Sequence, residues 1–231
     1  MEYNIVSVKK CLLQMADVAI RSKELLTRLD CMCGDGDLGI SMELGAQVVR
    51  HVVDQYSSQS ISELLAICAV NLNREAPSTM GTLICKSMAT QAGLMTASQN
   101  LSDETIVQMP RVFSQAIMLV GGAQRGDKTV LDALIPLAEE FHASYARTGN
   151  LPEAARRACE AAVSGAMATK GCLARIGRAK WFAERSKNCP DGGAVFCALM
   201  MQAAVGAELL PIDEWYTHED RRLDYVRYTK A

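Results

Sequence analysis

The amino-acid sequence predicts an all-α protein with seven or eight helices in one domain. Apolar residues recur at helical spacing along most of the 231 residues, so each segment has one face to bury. Sustained alternation of apolar and polar residues, which would indicate a strand, is lacking, and aromatic residues make up only 5%. Because no linker divides the chain, we expect one domain over residues 1–210 and a polar extension over residues 211–231.

Eight segments carry the helical pattern. Two have recognisable starts: Ser102 precedes two acidic residues, and Pro152 lies in a first turn, where a missing N–H is tolerated. The segments are Ile5–Leu26, Ser41–Val53, Ser62–Leu72, Thr82–Ala97, Asp103–Val120, Thr129–Arg147, Pro152–Ala168 and Gly193–Leu209.

Composition argues against a nucleic-acid-binding, membrane-spanning or secreted protein. The net charge of −2 and the pI near 6.0 argue against nucleic acid or an anionic membrane as the main partner. No apolar run reaches the ~18 residues of a membrane span, and the N-terminus lacks a signal-peptide pattern. The nine cysteines include no CxxC pair, so we expect reduced, mostly buried thiols and a cytoplasmic location.

A cluster of carboxylates stands out between the first two predicted helices. Asp30, Asp35 and Asp37 lie within eight residues, and glycines separate them. Such crowding repels unless it is neutralised, and hard carboxylate oxygens suit Mg²⁺ or Ca²⁺. The spacing does not fit an EF-hand, and three carboxylates can hold two ions about 4 Å apart. The alternative is a simple turn followed by a helix cap.

Four other loops are rich in Gly, Ser, Thr, Asp or Arg. Ser78 and Thr79 precede an apolar helix, where hydroxyls and free N–H groups favour a phosphate. Capping of that helix is an equally good interpretation, and no P-loop motif is present. The remaining loops are Gly121–Thr129, the basic stretch Ala174–Lys180 and Asp191–Gly193, each of which alone is typical of a turn or a solvated face.

Together, four stretches resemble the L subunit of dihydroxyacetone kinase, the nucleotide-binding half of that family. The resemblance covers about Ala16 to Gly206 and implies a barrel or bundle of eight antiparallel helices with the nucleotide site in loops at one end. The matching stretches, in family order, are Leu29–Gly39, Gly126–Ala133, Ala174–Ala179 and Glu184–Ala194.

The resemblance also implies a role for individual residues. Asp30, Asp35 and Asp37 are expected to hold two Mg²⁺ ions that bridge the nucleotide phosphates, and Arg178 is expected to join them in catalysis. The residues expected to contact ADP or ATP are Leu38, Gly39, Ser41, Ser78, Thr79, Gly121, Thr129, Val130, Arg178, Asp191, Gly192 and Gly193.

The sequence departs from the family pattern at several of these positions. Leu38 replaces the usual His, and Ser41 replaces the usual Asn. Residues 76–80 form a shortened and altered phosphate loop, and Asp191-Gly192-Gly193 replaces Asp-Pro-Gly. These changes are consistent with a divergent member that serves another small ketose.

The expected function follows from the resemblance. The chain would be the ADP- and Mg²⁺-binding subunit of a dihydroxyacetone or related ketose kinase, with the sugar held on a separate K subunit. A phosphotransferase-system protein would rephosphorylate the resident ADP. The alternatives are an ATP-dependent ketose kinase subunit, a non-catalytic nucleotide sensor and an all-α metal-binding scaffold. Neither nucleic acid nor a membrane is an expected partner, and a homodimer is left open.

Overall fold

The computed structural model describes residues 3–95 and 100–215. Within these ranges the chain is almost wholly helical, which confirms the predicted all-α class. A 3₁₀ helix at Arg178–Phe182 and the single-turn helices α9 (Ala183–Ser186) and α11 (Ile212–Trp215) are short. The longer helices are α1 (Ile5–Arg21), α2 (Lys23–Cys33), α3 (Leu38–Gln55), α4 (Ile61–Glu75), α5 (Thr79–Leu94), α6 (Asp103–Gly121), α7 (Leu131–Thr148), α8 (Leu151–Ala168) and α10 (Gly192–Val205).

Eight of the longer helices close into a ring in the described part of the chain. Helix α1 packs on α3, and α3 to α8 then pack each on the next. Helix α10 contacts α8 on one side and α1 on the other, so the ring closes. Helix α2 lies against α3 and α10, outside this order. The predicted barrel is therefore confirmed, with α2 as an additional helix.

The core depends on small side chains where helices approach closely. Helix α8 presents Ala154, Ala158, Ala162 and Ala166 at four-residue spacing, and all four are fully buried. A Cβ at Gly165 would lie 2.3 Å from the carbonyl oxygen of Asp132 in α7. Because α7 and α8 are joined by two residues, they run antiparallel and pack along their length.

The structure corrects three details of the predicted elements. The segment expected as one helix over Ile5–Leu26 breaks at Ser22, and its second part continues to Cys33. The last long helix ends at Val205 rather than at Leu209, because Gly206 adopts a left-handed conformation with φ 66°. A two-residue antiparallel ladder pairs Tyr3–Asn4 with Asn100–Leu101, where no strand was expected.

The fifth helix begins earlier than its apolar pattern predicts. It starts at Thr79 rather than Thr82, since Ser78 caps it, and its predicted end at Ala97 lies outside the described residues. All nine cysteines, each of which the structure describes, lie outside disulfide bonds, and five of them are buried, as expected. Among the described residues, no helix is both long enough and apolar enough to cross a bilayer.

The predicted C-terminal extension is described only at its start. Trp215 is 1% exposed and packs into the main hydrophobic cluster with residues of α2, α8 and α10. Residues 216–231 lie outside the described part. The division at residue 210 stays a prediction.

Candidate metal and nucleotide site

The three aspartates converge because the chain breaks between α2 and α3. Helix α2 ends at Cys33 and α3 begins at Leu38. Gly36 between them has φ 80°, and a Cβ there would lie 2.5 Å from the sulfur of Cys31. Asp30, Asp35 and Asp37 each offer a carboxylate oxygen, and these oxygens lie within 4.8 Å of one another.

The orientation of Asp30 is fixed by its neighbours. Its Oδ2 accepts a hydrogen bond from the backbone N–H of Leu38 at 3.3 Å, which ties the last turn of α2 to the first turn of α3. A Cβ at Gly34 would lie 2.1 Å from Asp30 Oδ1, so a larger residue there would displace the Asp30 carboxylate from this orientation. The glycines that separate the aspartates are therefore required by the convergence itself.

Arg178 joins the cluster from the fourth loop. Its Nη1 donates to Asp35 Oδ2 and, at 3.0 Å, to Asp37 Oδ2. The side chains of Arg178 and Asp35 are about half exposed, at 53% and 52%, so these ion pairs add little to stability. Partial burial, together with the charge of Asp30, raises the pKa of the Asp37 carboxyl.

The donor set fits a divalent cation of the hard type. It consists of carboxylate oxygens that lie close together and remain open to solvent, as Mg²⁺ prefers when it retains waters or phosphate ligands. Three negative charges are offset in the structure by one guanidinium. The site therefore has net negative charge and free coordination capacity for cations.

The two glycines of the fifth loop lie against residues that belong to, or directly follow, the first three loops. A Cβ at Gly192 would lie 2.7 Å from Leu38 Cδ2, directly after the carboxylate loop. A Cβ at Gly193 would lie 2.6 Å from the methyl group of Met80 and 3.5 Å from Cβ of Val130. The structure thus brings four predicted loops to one end of the barrel, and Arg178 adds the remaining one.

Two of the predicted nucleotide-contacting residues cap helices. Ser78 Oγ accepts from the N–H of Gly81 at 3.0 Å at the start of α5, and Thr79 is exposed beside it. Asp191 Oδ1 accepts from the N–H of Ala194 at 2.8 Å at the start of α10. Burial raises the pKa of the Asp191 carboxyl to about 6. The close approach of Gly193 to Met80 and of Gly192 to Leu38 places both helix N-termini at the same end of the barrel as the carboxylates.

The third loop is held by Asp132, at the start of α7. Its carboxylate accepts from the N–H groups of Gly126 at 2.6 Å and Thr129 at 2.8 Å. Val130 is buried in a small cluster with Met80 and Leu83. Gly121, at the end of α6, also lies next to Leu83, since a Cβ there would be 3.6 Å from it.

The first turn of α3 contains the remaining predicted residues. The N–H of Ser41 donates to the carbonyl of Asp37 at 2.9 Å, and Ser41 is half-buried. Gly39 packs against α2, where a Cβ would lie 2.1 Å from the carbonyl oxygen of Lys23 and 2.3 Å from Thr27 Oγ1. Gly39 thus has a demonstrable packing role.

Three residues of this region were missed by sequence reasoning. Met80 contacts Gly193, while Lys128 and Thr169 are buried and connect the loops through hydrogen bonds. The motif Gly126–Thr129 gave no sign that Lys128 is buried, since a charged residue in a glycine-containing turn is usually exposed. Nothing in the sequence around Thr169 distinguished it from an ordinary helix end.

One end of the helical barrel holds three carboxylates, an arginine and two helix N-termini. This arrangement is typical of proteins that bind a metal ion together with a phosphate group. Residues 32–206 match the family described as the DAK2 domain. The chain therefore belongs to the DAK2 domain family, of the type found in the L subunit of dihydroxyacetone kinase.

Named relatives of this chain are kinases. It is 30% identical over 191 residues to the PEP-dependent dihydroxyacetone kinase, ADP-binding subunit DhaL, of Escherichia coli, covering 83% of this chain and 91% of that one. It is 32% identical over 188 residues to the D-erythrulose kinase of Mycolicibacterium smegmatis, covering 80% of this chain. The chain spans only 32% of the length of that erythrulose kinase.

Solved structures share the fold. The dihydroxyacetone kinase of C. freundii in its native form aligns with a TM-score of 0.68 and 19% identity, over 88% of this chain and 34% of that one. The same enzyme in complex with AMP-PNP and Mg²⁺ aligns with a TM-score of 0.67. These alignments confirm the predicted helical fold.

Proposed function

We propose that the chain is the ADP- and Mg²⁺-binding subunit of a kinase for dihydroxyacetone or a related short ketose. The observation that carries the proposal is the meeting of Asp30, Asp35 and Asp37, within 4.8 Å, with Arg178 from a distant loop. The E. coli relative is named as an ADP-binding subunit, which supports the choice of ligand.

In this proposal the chain's own groups bind and orient the nucleotide. The three carboxylates would hold two Mg²⁺ ions, and the ions would supply neutralisation of the phosphate charge. Arg178 can turn its guanidinium towards phosphate oxygens, which it binds through two parallel N–H donors. The N-termini of α5 and α10 add partial positive charge at the same end of the barrel. The predicted contacts of Leu38, Ser41, Gly121 and Val130 belong to this proposal.

The proposal requires a partner for the sugar. We infer that a separate K subunit holds the ketose, and that a phosphotransferase-system protein rephosphorylates the bound ADP in the cytoplasm. The E. coli relative is named as PEP-dependent, and the match covers 91% of that relative's length. Both facts favour a phosphotransferase-system donor. An ATP-dependent scheme is the second candidate, because the chain also matches part of the longer erythrulose kinases.

Reconstitution tests this function. The chain is mixed with a sugar-binding K subunit and with dihydroxyacetone or erythrulose, and then supplied either with ATP or with PEP and the phosphotransferase-system proteins. Phosphorylated ketose, detected by ³¹P NMR, is expected with PEP and bound ADP. Product with ATP alone would identify the second scheme, and product in neither arm, with nucleotide bound, would identify a non-catalytic sensor.

A further inference from the structure

Lys128 is a buried charge outside the residues assigned so far. It is 2% exposed, and its ammonium group donates to the carbonyl oxygens of Thr169 at 2.6 Å and Cys189 at 2.8 Å. Among the described residues it is the one non-glycine residue with a positive φ, 62°. Burying an ammonium and adopting this backbone conformation both cost free energy. The hydrogen bonds to the two carbonyls, together with the attraction of the nearby Asp191 carboxyl, offset these costs.

Those two carbonyls belong to the segments on either side of the fourth loop. Thr169 caps the C-terminus of α8, and Cys189 lies two residues before Asp191. The hydroxyl oxygen of Thr169 also accepts from the N–H of Asp191 at 2.8 Å. Residues 189–191 are thus held at both ends, once by Lys128 directly and once by the residue to which Lys128 donates.

The held segment leads straight into the candidate nucleotide loop. Asp191 caps α10 through the N–H of Ala194 at 2.8 Å, and Gly192 and Gly193 follow within the same turn. Those glycines lie against Leu38, Met80 and Val130, where three other loops lead into α3, α5 and α7. A shift of residues 189–191 would therefore displace the point at which these loops meet.

We propose that Lys128 is a positioning residue that fixes the segment Asp191–Gly193 against the other loops of the nucleotide site. This inference rests on the proposed function, since the segment matters only where a nucleotide binds. Within the described part of the chain, the hydrogen bonds of the Lys128 ammonium go to Thr169 and Cys189 and not to the three aspartates. Its loss is therefore expected to weaken ADP binding and to leave metal binding by Asp30, Asp35 and Asp37 largely unchanged.

The test compares Lys128→Met, which removes all donors, with Lys128→Gln, which retains an N–H donor on a shorter side chain. We expect Lys128→Met to raise the Kd for ADP, measured by calorimetry in Mg²⁺, at least about tenfold. The Gln variant is expected to lie between Met and wild type. Binding of Mn²⁺ alone, followed by electron paramagnetic resonance, is expected to stay within about twofold of wild type, as is the ADP affinity of Lys10→Met, at an exposed lysine of α1.

A second control separates positioning from loss of stability. Val53→Ala removes buried methyl groups of α3 from a hydrophobic cluster that does not include the residues around Gly193. Urea unfolding measures how far this remote substitution lowers the free energy of unfolding. We expect Val53→Ala to keep its ADP affinity. An equal loss of affinity in Val53→Ala, or loss of helical circular dichroism in both Lys128 variants, would overturn the positioning role.

The outcomes distinguish this inference from the function on which it rests. Normal ADP binding by Lys128→Met would overturn the inference alone. Lack of ADP binding by the wild-type chain would remove the proposed function and the inference together. Equal losses of ADP and Mn²⁺ binding in folded Lys128→Met would show that the whole end of the barrel is disturbed, and would also overturn it.

Discussion

Arg178 donates a hydrogen bond to Asp37 at 3.0 Å, although 141 positions separate the two residues along the chain. The same guanidinium nitrogen also bonds to Asp35. The contact joins the basic fourth loop to the carboxylate loop. Taken alone, the first is typical of a solvated face, and the second could be a simple turn with a helix cap. Since all these side chains are partly exposed, their ion pairs add little to stability, which is consistent with the charged-ligand site proposed above.

The first prediction concerns the carboxylate cluster. Asp35→Ala is expected to reduce Mg²⁺-dependent ADP affinity at least about tenfold, because one of three candidate ligands is lost. The fold is expected to persist, since Asp35 is exposed. Calorimetry and circular dichroism measure the two effects, with Asp54→Ala at an exposed position of α3 as the control. Wild-type ADP binding by the Asp35 variant would mean that the metal assignment is wrong.

The second prediction concerns the geometry of Arg178. Arg178→Lys keeps the charge but loses the planar fork, so ADP affinity is expected to fall about tenfold. The melting temperature is expected to change little, because exposed ion pairs contribute about 1 kcal/mol or less. Arg111→Lys, at an exposed position of α6, is the matched control. Equal ADP affinities for the two variants would contradict a phosphate-binding role for Arg178.

The third prediction concerns Gly39 and its contact with α2. Gly39→Ala is expected to lower the free energy of unfolding by about 1–3 kcal/mol, because the new Cβ would lie 2.1 Å from the carbonyl of Lys23. A Cβ at Gly93, in α5, would have no neighbouring atom within 4 Å. Gly93→Ala is therefore expected to raise the free energy of unfolding by about 0.5–1 kcal/mol. Urea unfolding followed by circular dichroism measures both, and similar shifts in the same direction would refute the close approach of α2 and α3.

The fourth prediction concerns pH. Burial raises the pKa of Asp191 from its ordinary 3.8 to about 6. The folded state therefore binds the proton more tightly than the unfolded state does. Protonated Asp191 therefore contributes to the free energy of unfolding fully below about pH 4, and this contribution, about 3 kcal/mol in total, is lost as the pH rises through 6. About 2 kcal/mol of the loss falls between pH 4 and pH 7.

The measurement compares wild type with Asp191→Asn, which keeps the helix cap and cannot titrate. Urea unfolding at pH 4 and pH 7 is expected to show that wild type loses about 2 kcal/mol more than the variant over this interval. Parallel changes in the two proteins would show that Asp191 does not carry the pH dependence.

Much of the fold was predictable because apolar periodicity reports directly on buried helix faces. The helices starting near Asp103, Thr129 and Pro152 are found within two residues of those positions. The convergence of Asp30, Asp35 and Asp37 was also foreseeable, since glycines between them exclude a continuous helix.

Other features depend on contacts that the local sequence does not encode. The break at Ser22 occurs without glycine or proline, so no local signal marks it. Lys128 reaches carbonyls 41 and 61 positions away, and only the closed barrel brings them together. Ser78 and Asp191 both cap helices, which was the alternative interpretation of their loops. Their contact with a nucleotide therefore stays a prediction.

The most direct test of the central claim is calorimetric titration of the purified chain, stripped of any bound nucleotide, with ADP in Mg²⁺ and in EDTA. The carboxylate cluster predicts ADP binding in Mg²⁺ and a loss of affinity of at least about tenfold in EDTA. ADP binding of equal strength in both buffers, or in neither, would contradict a metal-dependent nucleotide site at Asp30, Asp35 and Asp37.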